Sequence, residues 1–210
     1  MAVNPTTPAA FWDQVYAADD YRYGTRPNAF LEAQVGALRP RGDVLCLGDG
    51  EGRNGVWLAT QGFGVTTVEQ SARAVAKAQA LAARSGVRVN AIQATLPDWP
   101  IARQSFDAVV LIFLHLPPGL RERVHADASL ALRPGGVIVH EAFTPAQLGR
   151  PSGGPTSAAA LQTAALLRTD FAALEIELLE ERETVLAEGP GHHGPAAVVH
   201  LLARRRLRSG

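Results

Sequence analysis

Asp43-Val44-Leu45-Cys46-Leu47-Gly48-Asp49-Gly50-Glu51-Gly52-Arg53-Asn54-Gly55-Val56-Trp57-Leu58-Ala59 decides how the rest of this chain is read. The short apolar run Val44–Leu47 has the length and composition of a fully buried strand. Gly48, Gly50 and Gly52 then break it, and Val56, Leu58 and Ala59 open an apolar helical pattern at once. Glycine permits positive φ and lets a ligand lie against bare main chain. The helix start offers unpaired N–H groups to an anionic group. Such a turn, at the carboxyl end of a central strand, is where open α/β sheets hold nucleotide-like ligands. The next strand, Gly64–Glu69, ends in a carboxylate about 20 residues beyond the glycines, the spacing at which an acidic group meets ribose hydroxyls. A carboxylate only accepts hydrogen bonds, so it suits a diol.

Composition narrows the class of partner. The chain has 210 residues, enough for one domain with a substantial core. Its 20 basic and 20 acidic residues balance, which argues against steering toward nucleic acid or an anionic membrane. Lys77 is the sole lysine, and Arg204-Arg205-Arg206 reads as a solvated chain end. Cys46 stands alone, so no internal disulfide forms. No apolar run approaches the ~18 residues of a membrane span, and the N-terminus shows no signal-peptide pattern. The expectation is a cytoplasmic protein, monomer or homodimer, acting on a small molecule.

Around the central stretch, strand and helix signals alternate. Residues 1–8 read as disordered, Phe11–Tyr16 as a short helix with an apolar face, and 19–28 as a loop. Asn28 is a plausible N-cap for a helix to about Leu38. Strands are expected at 43–47, 64–69, 88–93, 107–113 and 137–143, with helices at about 53–61, 71–85 and 119–131 between them. The strand at 107–113 is the most continuously apolar, hence buried on both faces. Arg133-Pro134-Gly135-Gly136 reads as a turn, 144–156 as a Gly/Pro-rich loop of the kind that serves as a lid, and 157–169 as a helix. Leu174–Leu186 and Ala196–Ala203 have no helix between them and should pair as an antiparallel hairpin. The expected fold is α/β: a doubly wound, mostly parallel seven-stranded sheet with a C-terminal antiparallel hairpin and helices on both faces, in one domain. Within it, 1–42 form the lid, 43–143 the cofactor core, 144–170 the substrate loop and helix, and 171–205 the hairpin.

This order of elements resembles class I S-adenosylmethionine-dependent methyltransferases over nearly the whole chain. Trp12-Asp13 with Tyr23-Gly24 and Pro27-Asn28, Gly48-Asp49-Gly50-Glu51-Gly52-Arg53-Asn54, and Leu132-Arg133-Pro134-Gly135-Gly136 resemble the tellurite-resistance and thiopurine methyltransferase group. That resemblance implies S-adenosylmethionine as cofactor and a small soft nucleophile, a thiol or chalcogen oxyanion, as acceptor. It implies a cofactor site built from Tyr23, Gly48, Asp49, Gly50, Gly52, Asn54, Glu69, Gln70, Ala94, Thr95, Leu96 and Phe113. Two positions depart from the family pattern. Cys46 stands where an aspartate is common, with Asp49 placed to substitute in part, and Thr95 stands where an acidic residue often faces adenine.

His115 follows the buried fourth strand at the edge where ligands sit, and is the candidate general base. Arg150, His192 and His193 are candidates for substrate contact, Arg150 in the lid-sized loop and the histidines in the hairpin loop. The histidines lack metal-ligand spacing, so no metal is expected. Gly50-Glu51-Gly52-Arg53-Asn54-Gly55 also matches the dinucleotide pattern literally, which keeps a nicotinamide-dependent oxidoreductase as one alternative. A non-catalytic S-adenosylmethionine binder is another.

Overall fold

The computed structural model describes residues 9–207; the reading of 1–8 as disordered lies outside them. Seven strands form one sheet: β1 (Asp43–Leu47), β2 (Gly64–Glu69), β3 (Asn90–Gln93), β4 (Phe106–Ile112), β5 (Leu132–Phe143), β6 (Glu175–Ala187) and β7 (His193–Arg204). Their spatial order is β3-β2-β1-β4-β5-β7-β6. The first five pair in parallel, while β7 runs antiparallel to both β5 and β6. The chain order reverses between β1 and β4, and ligands of such sheets bind beyond the strand ends at that point.

Alternation along each strand sends side chains to two cores. Leu45 and Leu47 of β1 join Val109, Leu111 and Ile138 on one face, under α5 (Pro118–Ala131) and α6 (Ala164–Asp170). Val44 and Cys46 join Ala108, Val110 and Val139 on the other, with Leu31 of α2 (Ala29–Gln34) and Leu58 of α3 (Arg53–Thr60). Because both faces are covered, β1 and β4 are apolar at nearly every position. Val56 of α3 meets Leu81 and Ala82 of α4 (Ala72–Arg84), and α1 (Ala9–Val15) lies against α4.

Three elements differ from their expected form. Leu132–Gly136 belongs to β5 rather than to a free turn. Leu132 pairs with Phe106, and the ladder then jumps to Ala108↔Val137, so Pro134 and Gly135 are accommodated in an irregularity rather than ending the strand. The helix expected at 157–169 is split into a 3-10 turn at Ala158–Ala160 and α6 from Ala164. Between them the Gln162 N–H donates to the Phe143 carbonyl at 2.9 Å, and the Thr163 hydroxyl caps α6 by accepting from the Leu166 N–H. That extended tie is incompatible with a continuous helix. The hairpin is longer than expected because β7 starts at His193, with Pro195 opposite Val185 in the ladder.

Candidate active site

The glycine turn is held open by a carboxylate. Gly50, at φ +57°, donates its N–H to Glu69 Oε2 at 3.1 Å, and the Ser71 N–H donates to Glu69 Oε1 at 2.9 Å. Glu69 is buried, and burial pushes its carboxyl above the usual range against the pull of the Ser71, Gly50 and Gln70 N–H groups. Each oxygen accepts one main-chain hydrogen and keeps a lone pair free for a ligand hydroxyl. A Cβ on Gly50 would lie 2.8 Å from the hydroxyl oxygen of Tyr16, the residue just after α1, so glycine lets that ring lie close against the turn. Asp49 accepts from the Gly55 N–H at 3.0 Å, and burial pushes its carboxyl up to about 7.

The motif residues after the turn staple the N-terminal segment down. Glu51 accepts from the Arg22 N–H at 2.7 Å and pairs with Lys77 at 2.5 Å. Asn54 accepts from the Asn28 N–H at 2.9 Å, and the Asn28 side-chain oxygen in turn caps α2. Arg53 pairs with Glu188 at 2.7 Å, and Glu188 also accepts from Asn28 Nδ2 and the Ala29 N–H. Desolvation works against the Glu188 carboxylate, yet His192 and Arg53 hold it down at about 2. Asp13 accepts from the Ser71 hydroxyl at 2.6 Å, fixing α1 over the start of α4. The Glu51-Gly52-Arg53-Asn54 run thus ties the N-terminal segment and the hairpin tip to the glycine turn.

The N-terminal segment borders a cavity of about 570 Å³ at the carboxyl ends of β1, β2 and β4. At one end lie Glu69, Gln70 and Ala94–Leu96; at the other lie Phe113, His115, Phe143, Gly154, Pro155 and His192. The latter group is packed ring on ring. Phe113 stacks on Phe143 with centroids 4.5 Å apart, and His192 sits 4.4 Å from both Phe113 and Tyr23. His115 Nδ1 lies 3.0 Å from the Ala160 carbonyl, so that nitrogen carries the hydrogen. Its Nε2 is buried without a partner among the described residues, and burial lowers its pKa to about 4.

Most of the expected site residues converge here. Tyr23, Gly48, Asp49, Gly50, Asn54, Glu69, Gln70, Ala94, Thr95, Leu96, Phe113, His115 and His192 all line this cavity. Gly52 does not; at φ +89° its missing Cβ leaves room for Ala78, whose own Cβ would be 2.6 Å away. Arg150 pairs with exposed Glu183 on the outer strand, and exposed His193 begins β7 away from the cavity. The Thr95 hydroxyl donates to Asp98 at 2.5 Å, which closes the turn after β3. Cys46 is buried in the sheet, and burial pushes its thiol up. Phe143, Pro155 and the Arg53–Glu188 pair were not singled out from the sequence, and Trp12 and Tyr16 were read only as part of a short helix and a motif, not as cavity lining. The apolar face expected of Phe11–Tyr16 is the one on which Trp12 and Tyr16, four positions apart, stack with centroids 5.7 Å apart.

Residues 44–136 match the family described as methyltransferase domain. A solved structure described as "Conversion of a Disulfide Bond into a Thioacetal Group during Echinomycin Biosynthesis" is 21% identical, covers 96% of this chain and 94% of its own, and superposes with a TM-score of 0.75. TehB from Haemophilus influenzae is 16% identical over 94% of this chain and 67% of its own, with a TM-score of 0.69. A SAM-dependent methyltransferase from Methanosarcina mazei is 20% identical over 84% of this chain and 98% of its own, with a TM-score of 0.68. Among curated proteins, no sequence matches. No helix among the described residues is long and apolar enough to cross a membrane. The nicotinamide reading is not favoured, since the turn begins at Gly48, before the dinucleotide pattern does, and the matched domain is a methyltransferase. The fold is that of class I S-adenosylmethionine-dependent methyltransferases, and the matched methyltransferase domain implies S-adenosylmethionine as the cofactor.

Proposed function

We propose that this protein methylates a small cytoplasmic molecule at a soft nucleophile, a thiol or a chalcogen oxyanion. The observation that carries the donor half is Glu69, a buried carboxylate with one lone pair left on each oxygen, facing a cavity beside a turn of bare main chain. The residues fit the donor. Glu69 would hold the ribose, Gly48–Gly50 the methionine part with Asp49 toward its ammonium group, and Ala94–Leu96 the adenine. When bound, the donor supplies a methyl group on an already activated sulfonium. The protein then has to align the acceptor and exclude water, and positioning alone supplies roughly 7–11 kcal/mol.

The acceptor half rests on size and character. A cavity of about 570 Å³ with one end lined by Phe113, Phe143, His115 and His192 suits a small body rather than a polymer. One structural neighbour is described with the conversion of a disulfide bond into a thioacetal group, in keeping with a soft acceptor here. A soft anion needs no base. An acceptor that carries a proton needs one, and both histidines stand at that end. Arg150, turned outward, and His193 would reach an acceptor only through movement of the loop at 144–156 or of the hairpin tip. The test is methylation of a panel of thiols, selenite, tellurite, phenols and amines. Turnover confined to thiols or chalcogen anions is expected; turnover confined to amines or phenols would overturn the acceptor class and leave the donor site standing.

A further inference from the structure

His192 is built differently from His115, although both line the same end of the cavity. The His115 ring is committed through Nδ1 to a carbonyl, its Nε2 is sealed, and no carboxylate pairs with it among the described residues. His192 has its Nδ1 turned toward Glu188, 3.9 Å from Oε2 and with no hydrogen bond among the described residues, and the ring lines the cavity. Tyr23, Phe113 and Phe143 pack around the ring and leave it little freedom. Glu188 is itself fixed from three sides, by Arg53 of α3, Asn28 Nδ2 and the Ala29 N–H.

We propose that His192 takes the proton of the methyl acceptor at Nε2, with Glu188 as the residue that positions the ring and stabilises its charged form. This rests on the methyl-transfer reading. A carboxylate on Nδ1 selects the tautomer with Nε2 bare, which is the form a proton acceptor needs. The gap of 3.9 Å is longer than a hydrogen bond, as such contacts often are before substrate binds. The step balances. The acceptor loses its proton to His192 Nε2 and its heteroatom gains the bond to the methyl carbon. The carbon–sulfur bond of the donor breaks with its electron pair going to sulfur, and the positive charge passes from sulfonium to imidazolium. The charged and titratable groups facing His192 are Glu188 on the hairpin, Arg53 on α3, Glu141 on β5, Tyr23 in the N-terminal segment and His115 after β4. Burial and Arg53 oppose the imidazolium; Glu188 and Glu141 favour it.

The test reads the ring directly, in full-length protein with nitrogen-labelled histidine and bound S-adenosylhomocysteine, the His192 signal being assigned with His192→Gln. At neutral pH the hydrogen is expected on Nδ1 with Nε2 bare, and Glu188→Gln should lower the protonation midpoint of His192 by about one pH unit while His115 does not move. A hydrogen on Nε2, or a midpoint indifferent to Glu188→Gln, overturns the proposal. Should Glu188→Gln fail to fold, the tautomer of the unaltered protein decides alone. Methylation of an alkyl thiol, which carries its proton at neutral pH, should lose about 100-fold or more in kcat/KM in His192→Gln, with the acidic limb of the pH profile lost there and kept in His115→Gln. An unchanged rate overturns the proposal. Failure of S-adenosylhomocysteine to bind in calorimetry would instead overturn the methyl-transfer reading itself.

Discussion

Replacing Glu188 by Gln removes one charge and little else. The amide keeps a carbonyl for Asn28 Nδ2 and the Ala29 N–H, but Arg53 loses its counter-ion while remaining buried. A carboxyl held at about 2 against an ordinary 4.5 corresponds to about 3 kcal/mol of folding stability at neutral pH. An independent estimate agrees, since breaking a buried ion pair by removing one partner costs roughly 3–5 kcal/mol. The sign follows from the direction of the shift. A depressed folded-state value gives stability that is present above 4.5 and lost as the pH falls toward about 2. Urea unfolding followed by circular dichroism reads this. With a slope of roughly 1–3 kcal/mol per molar, the midpoint should drop by about 1–3 M at pH 7, and the gap between variant and parent should narrow below pH 4.5. A midpoint shift under about 0.3 M, or a loss of equal size at every pH, would refute the view that the Arg53–Glu188 pair holds the hairpin tip to the cofactor turn.

Gly52→Ala places a Cβ 2.6 Å from that of Ala78 at φ +89°. It should cost about 2–4 kcal/mol, visible as a lower melting temperature, and an unchanged one would contradict the packing described. His115, His125, His140 and His192 are all held below their ordinary value, mainly by burial. Unfolding must then take up protons below about pH 6.5, so stability should fall on acidification by up to about 1.4 kcal/mol per pH unit for each histidine. A flat stability between pH 6.5 and 5 would show that these rings are not held neutral. Asp49, pushed up to about 7 by burial, should be ionised to meet the donor's ammonium group. Affinity for S-adenosylhomocysteine is therefore expected to rise from pH 6 to 8, and Asp49→Asn should flatten the profile; a pH dependence that survives the substitution would remove Asp49 from that role.

What the sequence disclosed depended on how local the cause was. Val44–Leu47 and Asp107–Ile112 were legible because a parallel strand buried on both faces has to be apolar along its length. Asn28 was legible as a cap because a cap acts within its own turn, and its side chain accepts the expected main-chain hydrogen from Leu31. Pro134 and Gly135 misled because their turn chemistry is absorbed by a ladder jump that only the pairing with β4 explains. Ala158–Ala160 misled because helix propensity there yields to the tertiary tie of Gln162 to Phe143. In the site, Glu69 could be found by its distance from the glycines. Glu188 could not, since it meets Arg53 across 135 positions of chain, and no spacing rule reaches that far.

The central claim is that bare main chain at 48–50 and the Glu69 carboxylate hold an adenosyl sulfonium donor. Isothermal calorimetry with S-adenosylhomocysteine and with NADH, on the parent protein and on Gly50→Val/Glu69→Ala, tests it most directly, with Glu69→Ala alone as the variant that spares the turn. Saturable binding of S-adenosylhomocysteine at one per chain is expected, none of NADH, and a loss of about 100-fold or more in the double variant, which is about 3 kcal/mol. Unchanged affinity in both variants, or tight binding of NADH alone, would contradict it.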